Sequence, residues 1–352
     1  MVDWTLAQRI AEAVARAEGE PKAAPLPEGL PALADRSRKA VVAYARIEPA
    51  TTLPPPEAVD RAGWARVNLV TMRTTLAPLL ARLQAPGGVV GGPLRAAAGT
   101  LMAAEVGGLV GLMSRRVLGQ YELALLDAAA PPRLLLVAPN LDVAAREMKA
   151  DRDELLAWVI LHEVTHAVQF TGVPWLREHL GGLLSELLSS VEVKVDPGAL
   201  LRLPTRDDLL SLWNAVREGG LVTAVAGPER KALLDRVQAT MALIEGHAEH
   251  VMDAAGAPLL PSLPALREAL DRRRRERPPL ARLLERLLGL DLKMRQYEIG
   301  KRFCDAVVER GGVDALNRAW VAPGQLPTLA ELADPPAWLR RTQVRLITKS
   351  AD

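Results

Sequence analysis

The chain has 352 residues with nearly balanced charge, 44 Lys and Arg against 42 Asp and Glu, and it is 49% apolar but only 3% aromatic. That length admits one large domain or two interlocked ones, and the cancelling charge excludes the strong positive field of a nucleic-acid binder. A single cysteine, Cys304, excludes an intramolecular disulfide and a cysteine zinc cluster, and agrees with a reducing cytoplasm.

With few rings available, Leu, Val and Ala must fill the interior, which favours packed helices over sheets. The start, Met1-Val2-Asp3-Trp4-Thr5, runs into an amphipathic pattern (Leu6, Ile10, Val14) without the apolar core of a secretion signal. It predicts a helix capped by Asp3 and running to about Ala17. A Pro/Gly-rich connector from Gly19 to Pro31 precedes a second helical pattern ending near Ile47. Pro49 and Pro54-Pro55-Pro56 read as a stiff link, after which Asp60 opens a helix through Trp64, Asn68 and Leu76 towards Leu83.

Pro86-Gly87-Gly88 and Gly91-Gly92-Pro93 mark a turn. The next stretch, Ala96 to Met113, is about long enough to span a bilayer. Glu105 at its middle costs a few kcal/mol there, and a run built from Ala and Gly gains little in return. A buried helix is expected instead, with Gly107, Gly108 and Gly111 admitting a close neighbour, and ending in Ser114-Arg115-Arg116-Val117-Leu118-Gly119-Gln120-Tyr121. Arg115 and Arg116 complement the dipole at that helix end in preference to binding a substrate carboxylate.

Leu134-Leu135-Leu136-Val137, between Pro131-Pro132 and Pro139-Asn140, is the best strand candidate. Helices are predicted at Leu141–Met148, Arg152–Phe170, Trp175–Val191, Arg206–Val216, Glu229–Met252, Leu263–Arg275, Leu280–Arg310 and Val313–Trp320. A short capped helix follows Leu326-Pro327-Thr328, broken by Pro335-Pro336 before Trp338. The division expected is an N-terminal helical region, 1–130, packed with a catalytic region, 131–352.

The segment carrying chemistry is Leu161-His162-Glu163-Val164-Thr165-His166-Ala167. Asp151 and Glu154 form a capping-box pattern, so the helix starts well before the histidines. Two residues four apart share a face, so His162 and His166 present their rings to one ion, while Glu163 lies where a metal-bound water would sit. Zinc-activated water with Glu163 as general base and acid is the chemistry this spacing serves. The chain has only five histidines, and two of them flank a glutamate in an uncharged setting. The alternative is a pair of helix histidines that merely satisfy hydrogen bonds.

A catalytic zinc needs a third protein ligand. The extended pattern with a third histidine requires Gly and His where Gln169 and Gly172 stand, and is excluded. His179 is one candidate, beyond Gly172 and Pro174. The better one lies on the helix after Pro228, where Leu233, Val237, Met241 and Ile244 form an apolar stripe. There Glu245, Glu249 and Asp253 align along one face, which is unfavourable in an interior unless a cation or solvent meets them.

Glu245-Gly246-His247-Ala248-Glu249-His250 resembles the Glu-Gly-aromatic-Ala-Glu-aromatic segment of neutral zinc aminopeptidases, in which the first glutamate is the third metal ligand. The resemblance assigns that role to Glu245, across a longer gap from His166 than those enzymes have. Over nearly its full length the chain is similar to an uncharacterised, actinobacterial-type family of zinc-dependent metallopeptidases often labelled with deazaflavin-coenzyme biosynthesis. The matching stretches include Val59-Asp60-Arg61 with Trp64 and Asn68, Ser114 to Tyr121, Leu136 to Asn140, the histidine helix through Val173-Pro174-Trp175-Leu176-Arg177, and Leu326-Pro327-Thr328 with Trp338. It implies a mainly α, zincin-like fold and one zinc ion.

Tyr297, in Gln296-Tyr297-Glu298-Ile299-Gly300, resembles a Tyr-x-x-Gly segment near the aminopeptidase site and is a candidate oxyanion donor, as is His250. The alternative for Tyr297 is a packed tyrosine with a bonded hydroxyl. Glu249 or Asp253 would orient a metal histidine from behind. Arg272–Arg275 reads as a solvated helix face, and Cys304 as a small buried apolar residue. The expected partner is a peptide or small-molecule substrate, with neither nucleic acid nor membrane. A hydrolase of a small metabolite, or a helical scaffold with a structural metal, are the competing readings.

Overall fold

The computed structural model describes residues 2–17, 19, 25–83, 92–190, 228–275 and 291–349. The helix expected at Arg206–Val216, the turn at Pro86-Gly87-Gly88 and the stretch from Leu280 to Leu290 lie outside the described residues. Among those described, the chain is mainly helical. In order it forms α1 (Trp4–Arg16), α2 (Leu30–Ala45), β1 (Pro56–Val59), α3 (Arg61–Leu83), α4 (Gly92–Ser114), β2 (Gly119–Glu122), β3 (Arg133–Val137), α5 (Ala138–Met148), α6 (Arg152–Gly172) and α7 (Leu176–Ser190). After the gap come α8 (Pro228–Gly256), α9 (Leu263–Arg275), α10 (Asp291–Leu316), α11 (Leu329–Ala333) and α12 (Pro335–Lys349). Two compact units emerge: Met1–Ala40 with Thr52–Ala167 and Pro258–Ala269, and Val41–Thr51 with Val168–Ala257 and Leu270–Asp352.

In the first unit, a sheet of order β1-β3-β2 is built around the predicted strand. β3 is central, and Leu134 to Val137 are wholly buried, which explains an apolar run without alternation. β1 runs parallel to it (Pro56↔Leu134) and β2 antiparallel (Gly119↔Leu136). Neither edge strand was expected, since Pro54 to Pro56 read as a link and Gly119 to Tyr121 as a helix end. Each is four residues long, too short for a periodic signal, and each exists only because β3 pairs with it. Pro56 fits as the first residue of an edge strand.

Asp3 caps α1 by accepting from the Leu6 amide (2.9 Å). α1 lies close against α4: a Cβ on Gly111 would stand 2.8 Å from the Ala11 carbonyl, and one on Gly107 would run into that of Ala7. Gly108 faces open space, so two of the three expected glycines serve the contact. The core around this pair includes Ala7, Ala11, Trp64, Leu69 and Val137. Among the described residues no helix is long and apolar enough to cross a membrane.

Buried Asn140 fixes the approach to β2. It accepts from Arg61 Nε (2.7 Å) and donates to the carbonyls of Ser114 (2.8 Å) and Val117 (2.7 Å). α6 begins as predicted, the Asp151 carboxylate accepting from the Glu154 amide (2.9 Å). The Glu154 carboxylate, however, accepts from the amide and hydroxyl of Ser262 (3.2 and 3.0 Å), so the capping box is half formed.

The second unit is organised by α8 and α10. A Cβ on Gly246 would run into the main chain of Gly300 and Lys301, and one on Gly300 into the Ala242 carbonyl, so the backbones themselves touch. Phe303, Cys304 and Val307 are fully buried on α10, and the Phe303 ring meets the edge of Trp338 at 5.2 Å. α10 is broken at Gly312 (φ 71°, ψ 179°), inside the gap expected between Arg310 and Val313, and Asn317–Trp320 forms a 3-10 turn. The short helix α11 ends at Ala333, before Pro335-Pro336 as expected, and Pro335 also starts α12, as proline can at a first turn, with the Asp334 carboxylate accepting from the Ala337 amide (3.2 Å).

Candidate metal centre

α6 is apolar around most of its circumference: Leu155, Leu156, Val159, Ile160, Leu161, Val164 and Val168 are all buried. Such a helix belongs in a core, and its histidines interrupt it on one face. His162 Nε2 and His166 Nε2 lie 3.2 Å apart with rings at 88°. Two nitrogens on one tetrahedral zinc, each at about 2.05 Å, stand about 3.3 Å apart, so the spacing is that of a shared ion. Trp158, one turn earlier and 6% exposed, stacks on His162 with ring planes 9° apart and centroids at 5.7 Å.

His162, His166 and Glu245 each offer a ligand atom, and these atoms lie within 4.8 Å of one another. Two imidazoles and a carboxylate are a zinc donor set that leaves one tetrahedral position for water or substrate, so the residues present fit the ion. Glu163 is 7% exposed and its Oε2 accepts from the Tyr121 amide of β2 at 2.6 Å. Gly119, two residues earlier in that strand, lies against the same side chain. A Cβ there would stand 3.1 Å from Glu163 Cγ and 3.2 Å from Oε1.

Gln169, the residue whose presence excluded the third-histidine pattern, is fully buried. Its Nε2 donates to the Ile244 carbonyl and meets His247 Nδ1, both at 2.9 Å, which ties the last turns of α6 to α8 beside Glu245. The bond leaves the His247 proton on Nε2; the ring also meets the edge of Trp320 at 5.2 Å. Gly172, at the other diagnostic position, lets the Glu48 carbonyl approach to 2.9 Å of where its Cβ would stand.

The other expected site residues lie as follows. Glu249 is buried (5% exposed), one turn beyond Glu245. Asp253 meets Lys301 Nζ at 3.0 Å. Neither nitrogen of His250 points to open space: Nδ1 meets Asp305 Oδ1 at 2.6 Å and Nε2 meets the Tyr44 hydroxyl at 2.8 Å. Lys301 joins Asp305 as well (2.7 Å), closing a network across α2, α8 and α10. Burial acts against both charges, but the pairing wins, holding Asp305 below the ordinary carboxylate range and Lys301 above that of lysine. Burial, then the Asp305 charge, raises the Tyr44 hydroxyl.

His179 sits against Trp175 (5.8 Å), with its pKa lowered by burial and by Arg236, and is not part of the group that could hold a metal. Cys304 is wholly buried, which pushes its thiol far up, as a packed apolar residue would be. Tyr297 falls in α10, and its side chain lies outside the described residues. Sequence reasoning missed Gln169, Trp158, Tyr121 and Tyr44 as neighbours of these side chains. Only Trp158, four residues before His162, had a signal to find it by.

Two histidines one helical turn apart with a glutamate between them, and a second glutamate on another helix, are the donor types a zincin uses, here in a mainly helical chain. The chain belongs to the zincin-like metallopeptidase family, whose sequence pattern matches residues 2–339. It is similar to a crystal structure described as "a putative hydrolase with a novel fold", from Chloroflexus aurantiacus, with 27% identity, a TM-score of 0.71, and coverage of 97% of this chain and 99% of that one. Comparison with functionally characterised proteins gives no match.

Proposed function

We propose that the chain is a zinc-dependent hydrolase of peptidase type, which binds one ion through His162, His166 and Glu245 and moves the reaction's proton through Glu163. The observation that carries this is the convergence of the three ligand atoms, with Glu163 following directly on the first ligand. When bound, zinc supplies Lewis-acid polarisation of water and of the scissile carbonyl.

The chain's own groups do the rest. Glu163 takes a proton from water at its carboxylate and returns it to the leaving amine. Trp158 fixes the plane of the His162 ring by stacking on it, and Gln169 fixes the main chain next to Glu245. Tyr297 is the candidate donor to the oxyanion. His250 is less suited to that role and to closing the metal's fourth position, because Tyr44 and Asp305 occupy its two nitrogens. That engagement favours an open, catalytic site over a structural metal.

The test is hydrolysis of a quenched-fluorescent peptide library by zinc-loaded wild type and Glu163→Gln. Cleavage by the wild type, reduced by a factor of about 10² or more in Glu163→Gln at equal zinc content, is the expected result, since loss of the base removes its ~10²–10⁴-fold contribution. A loaded wild type that cleaves no peptide but hydrolyses small amides would move the reading to a small metabolite.

A further inference from the structure

Strand β2 is an edge of the sheet, and its register decides which backbone groups face outward. The Val137 amide donates to the Leu118 carbonyl (2.9 Å), so with Gly119 opposite Leu136 and Tyr121 opposite Leu134, the ladder bonds belong to residues 118, 120 and 122. The amides of Gly119 and Tyr121 therefore point away from β3. On that outward side the Tyr121 amide meets Glu163 Oε2 at 2.6 Å, a short, charge-assisted bond. On the same side, the missing Cβ of Gly119 leaves room against Oε1, which one added carbon would approach to 3.2 Å. Asn140 holds the strand's entry in place through the Ser114 and Val117 carbonyls.

We propose that the Gly119–Tyr121 edge of β2 is a positioning device for Glu163: the Tyr121 amide tethers Oε2, and Gly119 keeps the Oε1 side clear, so the carboxylate is presented in one orientation. This rests on the hydrolase reading above. An untethered glutamate on a helix samples several rotamers, and misplacement of a reacting group by about 1 Å costs on the order of 10²-fold in rate. The tether removes that freedom.

The geometry permits a test that removes the donor without touching the ladder, the proline Cδ taking the place of the amide hydrogen and displacing Oε2. Because the Tyr121 amide is not in the ladder, Tyr121→Pro removes the hydrogen bond to Glu163 and no sheet bond, as proline tolerates an outward-facing edge position. Tyr121→Ala is the control that loses the side chain but keeps the amide. With each variant loaded with zinc and assayed on the cleaved library peptide, Tyr121→Pro is expected to fall 10- to 100-fold in kcat relative to Tyr121→Ala, with KM within about twofold and one zinc per chain retained. Equal kcat values for the two variants would overturn the proposal.

A second measurement works without substrate and in a folded chain even if the proline variant does not fold. Amide hydrogen exchange at Tyr121 is expected to stay slow in Glu163→Gln, whose amide oxygen still accepts, and to rise at least tenfold in Glu163→Ala. Unchanged protection in Glu163→Ala would overturn the tether. A loaded wild type that hydrolyses nothing while this exchange pattern holds would instead overturn the hydrolase reading.

Discussion

Gln169 donates its side-chain amide to the main-chain oxygen of Ile244, the residue directly before Glu245. The bond sits in a buried setting and is shared with His247 Nδ1, so one side chain one turn beyond His166 secures the segment carrying Glu245. In Gln169→Leu both acceptors lose their donor, each at about 1–3 kcal/mol. We expect a loss of about 2–6 kcal/mol in urea denaturation and zinc binding weakened about tenfold or more, the scale of supporting-group mutations. A variant that melts like wild type and binds zinc equally well would remove Gln169 from the account.

The backbone contact between α8 and α10 makes a second prediction. Gly300→Ala directs a methyl into the Ala242 carbonyl, and main chain cannot rotate out of the way. Overpacking of this kind costs about 3 kcal/mol, measurable as a lowered midpoint of unfolding. Gly108→Ala, whose Cβ meets nothing within 4 Å, should instead match or slightly exceed wild type.

Trp158 supports His162 by stacking on it, so Trp158→Phe should bind zinc nearly as well as wild type, and Trp158→Ala more weakly. Competition with a chromogenic chelator reads the difference. Equal affinity for both would reduce the stack to ordinary packing.

The Tyr44–His250–Asp305–Lys301 network gives stability a pH dependence with a defined sign. Asp305 has its folded pKa depressed, so its contribution is present above the unfolded value and is lost as pH falls through the folded one. Lys301 has its folded pKa raised, so its contribution is present below the unfolded value and is lost as pH rises through the folded one. Both act together between the carboxylate and lysine ranges. Asp305→Asn should therefore cost about 1 kcal/mol near neutrality, discounted because the carboxylate is partly exposed, and nothing once the medium is acid enough to protonate the wild-type group. A cost that persists at low pH would mean the loss is one of packing.

The fold and the site were legible to different depths. Helix starts were readable where a side chain caps its own helix, as Asp3 and Asp151 do, because the signal is local. The edge strands β1 and β2 were not, because four residues carry no periodicity and their order is imposed by β3. At the site, His162, Glu163 and His166 follow from spacing on one helix. Glu245 came from resemblance, and the Gln169 bond that secures its neighbourhood joins residues 75 positions apart, which no local pattern encodes. Pro335-Pro336 marked the end of the short helix at Ala333, but the helix that starts at Pro335 went unread, since its cap, Asp334 accepting from the Ala337 amide, is shared with that end.

The central claim is that His162, His166 and Glu245 bind one zinc ion and that Glu163 does not. Zinc stoichiometry and affinity, measured after metal stripping and reloading of wild type, Glu245→Ala and Glu163→Gln, test it most directly. The account predicts one tightly held zinc in wild type and in Glu163→Gln, and binding weakened by a factor of about 10² or more in Glu245→Ala, where one of three protein ligands is gone. Equal zinc affinity in wild type and Glu245→Ala, or a wild type that takes up none, would contradict it.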